Sequence, residues 1–160
     1  MLNLLEPFRR AIGNVSARIS AGYAIKSFMD ERYADAERHL DNAISRLHAT
    51  YGMHFAPHKY LLLRGCALTK VKKYNKSLEL FVDEFFKLDE SKSLSKNEIS
   101  YLKWHCARHV LYLSYVLDMA PKDEKMKEIC NFDFENVKYL PNVRDDLRRM
   151  FPIDGSRFKK

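Results

Sequence analysis

The sequence predicts an all-α chain, built as tandem antiparallel helical hairpins and closed by a C-terminal helical cap. Three observations predict it. The 160 residues include only five Gly and five Pro, too few for the many tight turns of an all-β fold. The prolines Pro7, Pro57, Pro121, Pro141 and Pro152 leave two long stretches without one, which permits long helices because proline removes a backbone donor and clashes with the preceding turn. Apolar residues also recur at i, i+3, i+4 and i+7 through much of the chain.

The first helical pattern grows out of an apolar N-terminus, Met1 to Ile19, that carries Arg9, Arg10 and Arg18. A targeting peptide shares some of these traits, but Glu6 and the smooth continuation favour an ordinary first helix. Ile19, Tyr23, Ile25, Phe28 and Met29 continue the pattern to a polar break at Asp30-Glu31-Arg32. Tyr33, Ala36, Leu40, Ala43, Ile44 and Leu47 then form one helical stripe. A link from His48 to Pro57 follows, with proline at the next helix start. Tyr60, Leu61, Leu63, Cys66, Ala67 and Leu68 make the third helix, Val71-Lys72-Lys73 turns, and Tyr74, Leu78, Phe81, Val82, Phe85 and Leu88 make the fourth. One long helix is expected across about residues 95–118, since Tyr112-Leu113-Ser114 is no obvious break. Pro121 is expected to open a short polar helix to Cys130. Phe132-Asp133-Phe134 and Tyr139-Leu140-Pro141 read as irregular. Asn142 is expected to cap a last helix from Val143 to Phe151, ended by Pro152. The tail Asp154 to Lys160 is expected to be mobile and basic. On this reading the chain is one domain, with the helical repeats over 1–120 and the cap and basic tail of that same domain over 121–160.

A repeat runs through these elements. Tyr33, Tyr74 and Tyr115 are spaced by 41 residues, each preceded nine residues earlier by a small residue: Ala24, Gly65 and Cys106. Close helix crossings accept little side chain, and an aromatic at the start of the next helix fills the wedge. The pattern Tyr33-Ala34-Asp35-Ala36, with Ala24, Leu40 and Ala43, resembles a tetratricopeptide repeat. Gly65, Tyr74, Ser77 and Phe81 occupy the same columns in a second copy. The 41-residue period and the Gly52…Pro57 link are similar to the extended repeats of kinesin light chains. Glu84 departs from the family's small residue, and the third copy, around Tyr101, Trp104, Cys106 and Tyr115, lacks a turn.

The resemblance implies a right-handed stack whose first helices line a concave groove for a protein or peptide. Its groove columns fall on Arg18, Ala21 and Ile25, then on Lys59, Leu62, Cys66 and Lys70. In the third copy the strict columns are Ser100, Lys103 and Ala107; a shift of one nominates Tyr101, Trp104 and Arg108. The nominated groove is thus Arg18, Ile25, Lys59, Leu62, Lys70, Tyr101, Trp104 and Arg108, an apolar floor with a basic rim suited to an acidic partner. Core packing is the competing role for Tyr101 and Trp104.

Other chemistry finds little footing. The formal charge of +7 attracts acidic partners at long range, and Lys70, Lys72, Lys73 and Lys76 form the tightest basic group. These four lysines and the basic tail support the alternative of a nucleic-acid-associated protein, although charge runs are usually solvated faces and no recognition-helix or RNA-binding signature accompanies them. Three widely spaced cysteines, Cys66, Cys106 and Cys130, make neither a disulfide framework nor a zinc pattern, and reduced thiols suit a cytoplasmic setting. His105 and His109 lie one helical turn apart, as a metal pair would, yet lack a third ligand. His54 and His58 have the same spacing across a proline-broken link, and His39 and His48 sit on or beside a polar helix face. Cys66 reads as a small buried hydrophobe. No P-loop, GxSxG or dinucleotide motif occurs, no run spans a membrane, and no catalytic residue, metal or cofactor is assigned. The expected function is a non-enzymatic adaptor or small chaperone. An exposed repeat end is also compatible with a homodimer.

Overall fold

The computed structural model describes residues 5–53, 55, 57–120, 123–135, 137 and 140–151. They form seven α-helices and no strand. The chain divides into two compact units, Met1–Ser77 and Leu78–Lys160. The expected helix start at Pro121, the stop at Pro152, Tyr139, His54 and the basic tail lie outside the described residues.

In the first unit, α1 (Glu6–Met29) and α2 (Tyr33–Tyr51) form a long hairpin, and α3 (His58–Lys70) packs on α2. Pro7 sits in the first turn of α1, where its missing N–H costs nothing. The face that α1 turns inward is made of small residues, Ala17, Ser20, Ala21, Ala24 and Ser27. They meet Ala36, Leu40, Ala43, Ile44 and Leu47, the buried stripe of α2. Small side chains allow the backbones to approach closely. Gly13 belongs to the same contact, because a Cβ there would run into the Thr50 side chain. That approach also explains why α2 runs on to Tyr51 instead of stopping near Leu47: Tyr51 receives a hydrogen bond from the Asn14 amide. Gly52, at φ 95°, then ends α2 in a conformation that favours glycine, and His48 Nε2 donates to the Phe55 carbonyl at 2.9 Å across the link.

The 41-residue period is visible in backbone hydrogen bonds. After α1, the Glu31 N–H donates to the Phe28 carbonyl and the Arg32 N–H to the Ser27 carbonyl. After α3, Lys72 donates to Thr69 and Lys73 to Leu68, every donor and acceptor displaced by 41. Both are Schellman turns, with Glu31 and Lys72 at φ 59° and 62° where glycine usually sits. A left-handed non-glycine residue costs about 1–2 kcal/mol, partly offset by glycine's larger unfolded entropy. Glu31→Gly and Lys72→Gly are therefore each expected to raise stability by about 0.5–1 kcal/mol, read as a higher urea midpoint. Beyond the second turn, Tyr74 opens α4 (Tyr74–Lys87), and Ser77 Oγ donates to the Gly65 carbonyl at 2.8 Å.

In the second unit, α4 gives way to a 3-10 turn at Leu88–Glu90. A capping box then starts α5 (Lys96–Val116): Ser95 Oγ accepts from the Glu98 N–H, and the Glu98 carboxylate accepts from the Ser95 N–H. The helix is single and continuous through Tyr112-Leu113-Ser114, as expected. It ends in a third Schellman turn, with Asp118 donating to Tyr115 and Met119 to Ser114, five residues later than the period would place it. Asp123 caps the short α6 (Glu124–Cys130) by accepting from the Met126 N–H. Phe132–Phe134 carries no regular structure. The last helix, α7 (Asp145–Met150), is shorter than expected and starts after Arg144. Asn142 is not its cap but a left-handed turn residue at φ 58°. This segment is held to α5 by Asn97 donating to the Pro141 carbonyl at 2.9 Å and by Arg144 pairing with Glu98 at 2.6 Å.

Candidate interaction surfaces

The nominated groove positions fall into two groups. Arg18 is exposed, Ile25, Lys59 and Lys70 are half-buried, and Arg108 is exposed. Leu62, Tyr101 and Trp104 are interior, at 0%, 1% and 4% exposure, and are corrected from groove anchors to core. The physical reason lies in their helices. In α3, Leu62, Leu63, Gly65, Cys66, Ala67 and Leu68 are all buried, and a helix apolar on nearly all sides is a core helix. In α5, the Tyr101 hydroxyl donates to the Phe151 carbonyl at 2.5 Å, which satisfies its polar end indoors. Trp104 packs edge-on against Phe134.

The α5 face that stays open begins at Arg108. Its guanidinium lies 5.1 Å from the Trp104 ring, so the buried indole serves as the floor on which an exposed cation is held. Leu111, Tyr112 and Tyr115 follow at i+3, i+4 and i+7, with exposures of 38%, 51% and 86%. On a helix these positions lie side by side. No carboxylate is placed against Arg108 among the described residues. Lys103, a strict groove column, is instead drawn back onto the Phe85 ring at 4.1 Å and Asp89 at 2.7 Å. Leu111, Tyr112 and Tyr115 are not among the nominated positions, and Tyr115 reads from sequence alone as a repeat column; their helical spacing from Arg108 is the signal that marks them as one face.

In the first unit, Arg18 bears on the ionisation of Tyr60, whose phenol pKa is raised by burial and partly restored by that charge. Lys59 lies over the Tyr60 ring at 5.3 Å. The lysine group nominated for nucleic acid is partly engaged within the chain: Lys70 sits over Tyr33 at 5.5 Å and Lys73 pairs with Glu37 at 2.7 Å. Lys72 and Lys76 are exposed.

The histidine pair of α5 has a structural setting. His105 and His109 are 3% and 5% exposed. His109 Nδ1 donates to the His105 carbonyl at 2.8 Å, and its ring stacks on Phe81 at 4.3 Å. His105 lies among the rings of Tyr101, Trp104 and Phe151. Burial, reinforced by His109 and Arg108, pushes His105 down to about 3. Burial and Arg108 push His109 down to about 4. Both are neutral at physiological pH. No group of three His, Cys, Asp or Glu side chains is placed to hold a metal ion among the described residues. Cys66 and Cys106 are buried and form no disulfide, and no described helix is long and apolar enough to cross a membrane. No family model, no curated protein and no solved structure matches this chain.

Proposed function

We propose that this chain is a non-enzymatic, tetratricopeptide-like protein-interaction module, an adaptor or small chaperone, that grips an acidic segment of a partner protein. One observation carries the proposal: the exposed Arg108–Leu111–Tyr112–Tyr115 face, whose arginine is held over Trp104. Arginine and tyrosine are the residue types that concentrate binding energy at interfaces, because they combine large contact area with directional polar ends. A planar guanidinium resting on an indole is already oriented to receive a carboxylate through two parallel hydrogen bonds. Tyr112 and Tyr115 supply apolar area beside it. The repeated Schellman turn supports the family reading, since it recurs at the period on which that resemblance rests. Arg18, Lys59 and Lys70 add positive charge in the first unit, which steers an acidic partner during encounter.

The test is affinity capture from native extract with nuclease treatment and a salt-wash series, comparing the wild type with Arg108→Glu. A protein that survives nuclease and salt on the wild type, and is lost on Arg108→Glu, supports the reading. Loss of all bound material on nuclease treatment overturns it.

A further inference from the structure

The two sides of α1 are inverted relative to an ordinary amphipathic helix. Its small residues face the hairpin, and its large apolar ones face out. Leu5, Phe8, Ile12, Val15, Ile19 and Tyr23 are between 55% and 71% exposed. Their spacing of three, four, three, four and four residues places them in one strip spanning about 80° of the helix circumference. This is the narrow seam of a coiled coil, not the wide apolar face of a helix that lies in a bilayer.

Gly22 borders the same strip. A Cβ there would meet nothing within 4 Å, so the unit itself gives no reason for glycine, the poorest helix former after proline. Gly13, on the same helix, has such a reason in Thr50. A glycine with open space on the exposed side of a helix suits the close approach of another backbone.

We propose that this strip is a homodimer seam, in which α1 of one copy packs against α1 of a second copy in antiparallel orientation. Two arguments select a second copy. The six side chains carry on the order of 600–700 Å² of open surface per copy, near the ~800 Å² per partner of a standard interface and above the ~300–600 Å² usual for a monomer's largest apolar patch. The charges flanking the strip also tolerate self-pairing. The flanking positions are Arg9, Ala11, Ser16, Arg18 and Ile25. When the helices cross between Ile12 and Val15, Arg9 meets Ser16 of the other copy and Arg18 meets Ala11, so no arginine faces an arginine. Arg10 is already paired within its own helix to Glu6 at 3.1 Å.

Sedimentation equilibrium of the full chain from ~1 to ~100 μM tests the proposal. The expected result is a concentration-dependent mass rising to twice that of the 18.9 kDa chain. Ile12→Glu with Ile19→Glu is expected to weaken self-association by at least tenfold, with the helical circular dichroism and melting temperature of the hairpin kept. Gly22→Leu, which replaces a poor helix former by a good one, is expected to weaken it similarly without loss of helix. A wild type of single-chain mass at ~100 μM overturns the proposal, whether or not it then binds vesicles of anionic lipid or another protein's helix. So does a dimer that persists in both variants. Because the seam shares no residue with the Arg108 face, a failure here is distinguishable from a failure of the partner-binding reading.

Discussion

Lowering the pH from 7.5 to 5 is expected to remove about 4 kcal/mol from the stability of the second unit. The cause is the pair His105 and His109, whose folded pKa values are depressed to about 3 and about 4. In the unfolded chain both titrate near 6.5. Below that value the unfolded state binds two protons that the folded state refuses. Their contribution is therefore intact above pH ~6.5, and stability falls with acid until the folded imidazoles themselves begin to protonate near pH 4. Each histidine costs ~1.4 kcal/mol per pH unit in this window, and a loss of this size is a large fraction of the ~5–15 kcal/mol that stabilises a typical domain. Trp104, the single tryptophan, packs on His105 with ring centroids 4.8 Å apart and reports the transition by fluorescence. Urea titrations at the two pH values check the loss. His105→Gln with His109→Gln is expected to flatten the pH dependence. An unchanged urea midpoint at pH 5 in the wild type would contradict the burial of the pair.

The second large effect contrasts two aliphatic residues on facing helices. Leu40 is 0% exposed in the α2 stripe, and Ile19 is 55% exposed on α1. Leu40→Ala is expected to destabilise the first unit by about 2–5 kcal/mol, since it deletes buried methyl groups and leaves a cavity that the close α1–α2 contact cannot fill. Ile19→Ala removes a similar amount of hydrocarbon from a position open to water, and is expected to change chain stability by no more than about 0.5 kcal/mol when measured below the self-association concentration. Thermal melts followed by circular dichroism at ~1 μM separate the two outcomes. Equal losses at the two positions would mean that α1 buries its large side chains after all.

The helical class was legible because helix periodicity, proline spacing and two polar turns agree. α2 is the clearest instance: Ala36, Leu40, Ala43, Ile44 and Leu47 form the stripe that the structure buries. The orientation of α1 was not legible by the same logic. Ile19, Tyr23, Phe28 and Met29 have helical spacing, but periodicity identifies a helix without saying which of its faces is covered. Here the close hairpin selects the small face. The fate of Leu62, Tyr101 and Trp104 turned on the same ambiguity, resolved for α3 by the unbroken run Leu61-Leu62-Leu63 and for Tyr101 by a carbonyl fifty residues away. Arg108 was nominated through the resemblance, by shifting the family's groove columns one residue onto Tyr101, Trp104 and Arg108, although the tryptophan lies beneath the arginine and not beside it. The length of the last helix escaped sequence reasoning because Asn142 suits both a helix cap and a left-handed turn.

The central claim is that the Arg108 face binds an acidic protein segment, and the affinity of a captured partner for wild type, Arg108→Lys and Arg108→Glu measures it most directly. The predicted result is a Kd raised more than tenfold by Arg108→Glu and by a smaller factor by Arg108→Lys, which keeps the charge but loses the flat, two-pronged contact. A Kd that stays within twofold for both variants, with the fold intact, would contradict the account.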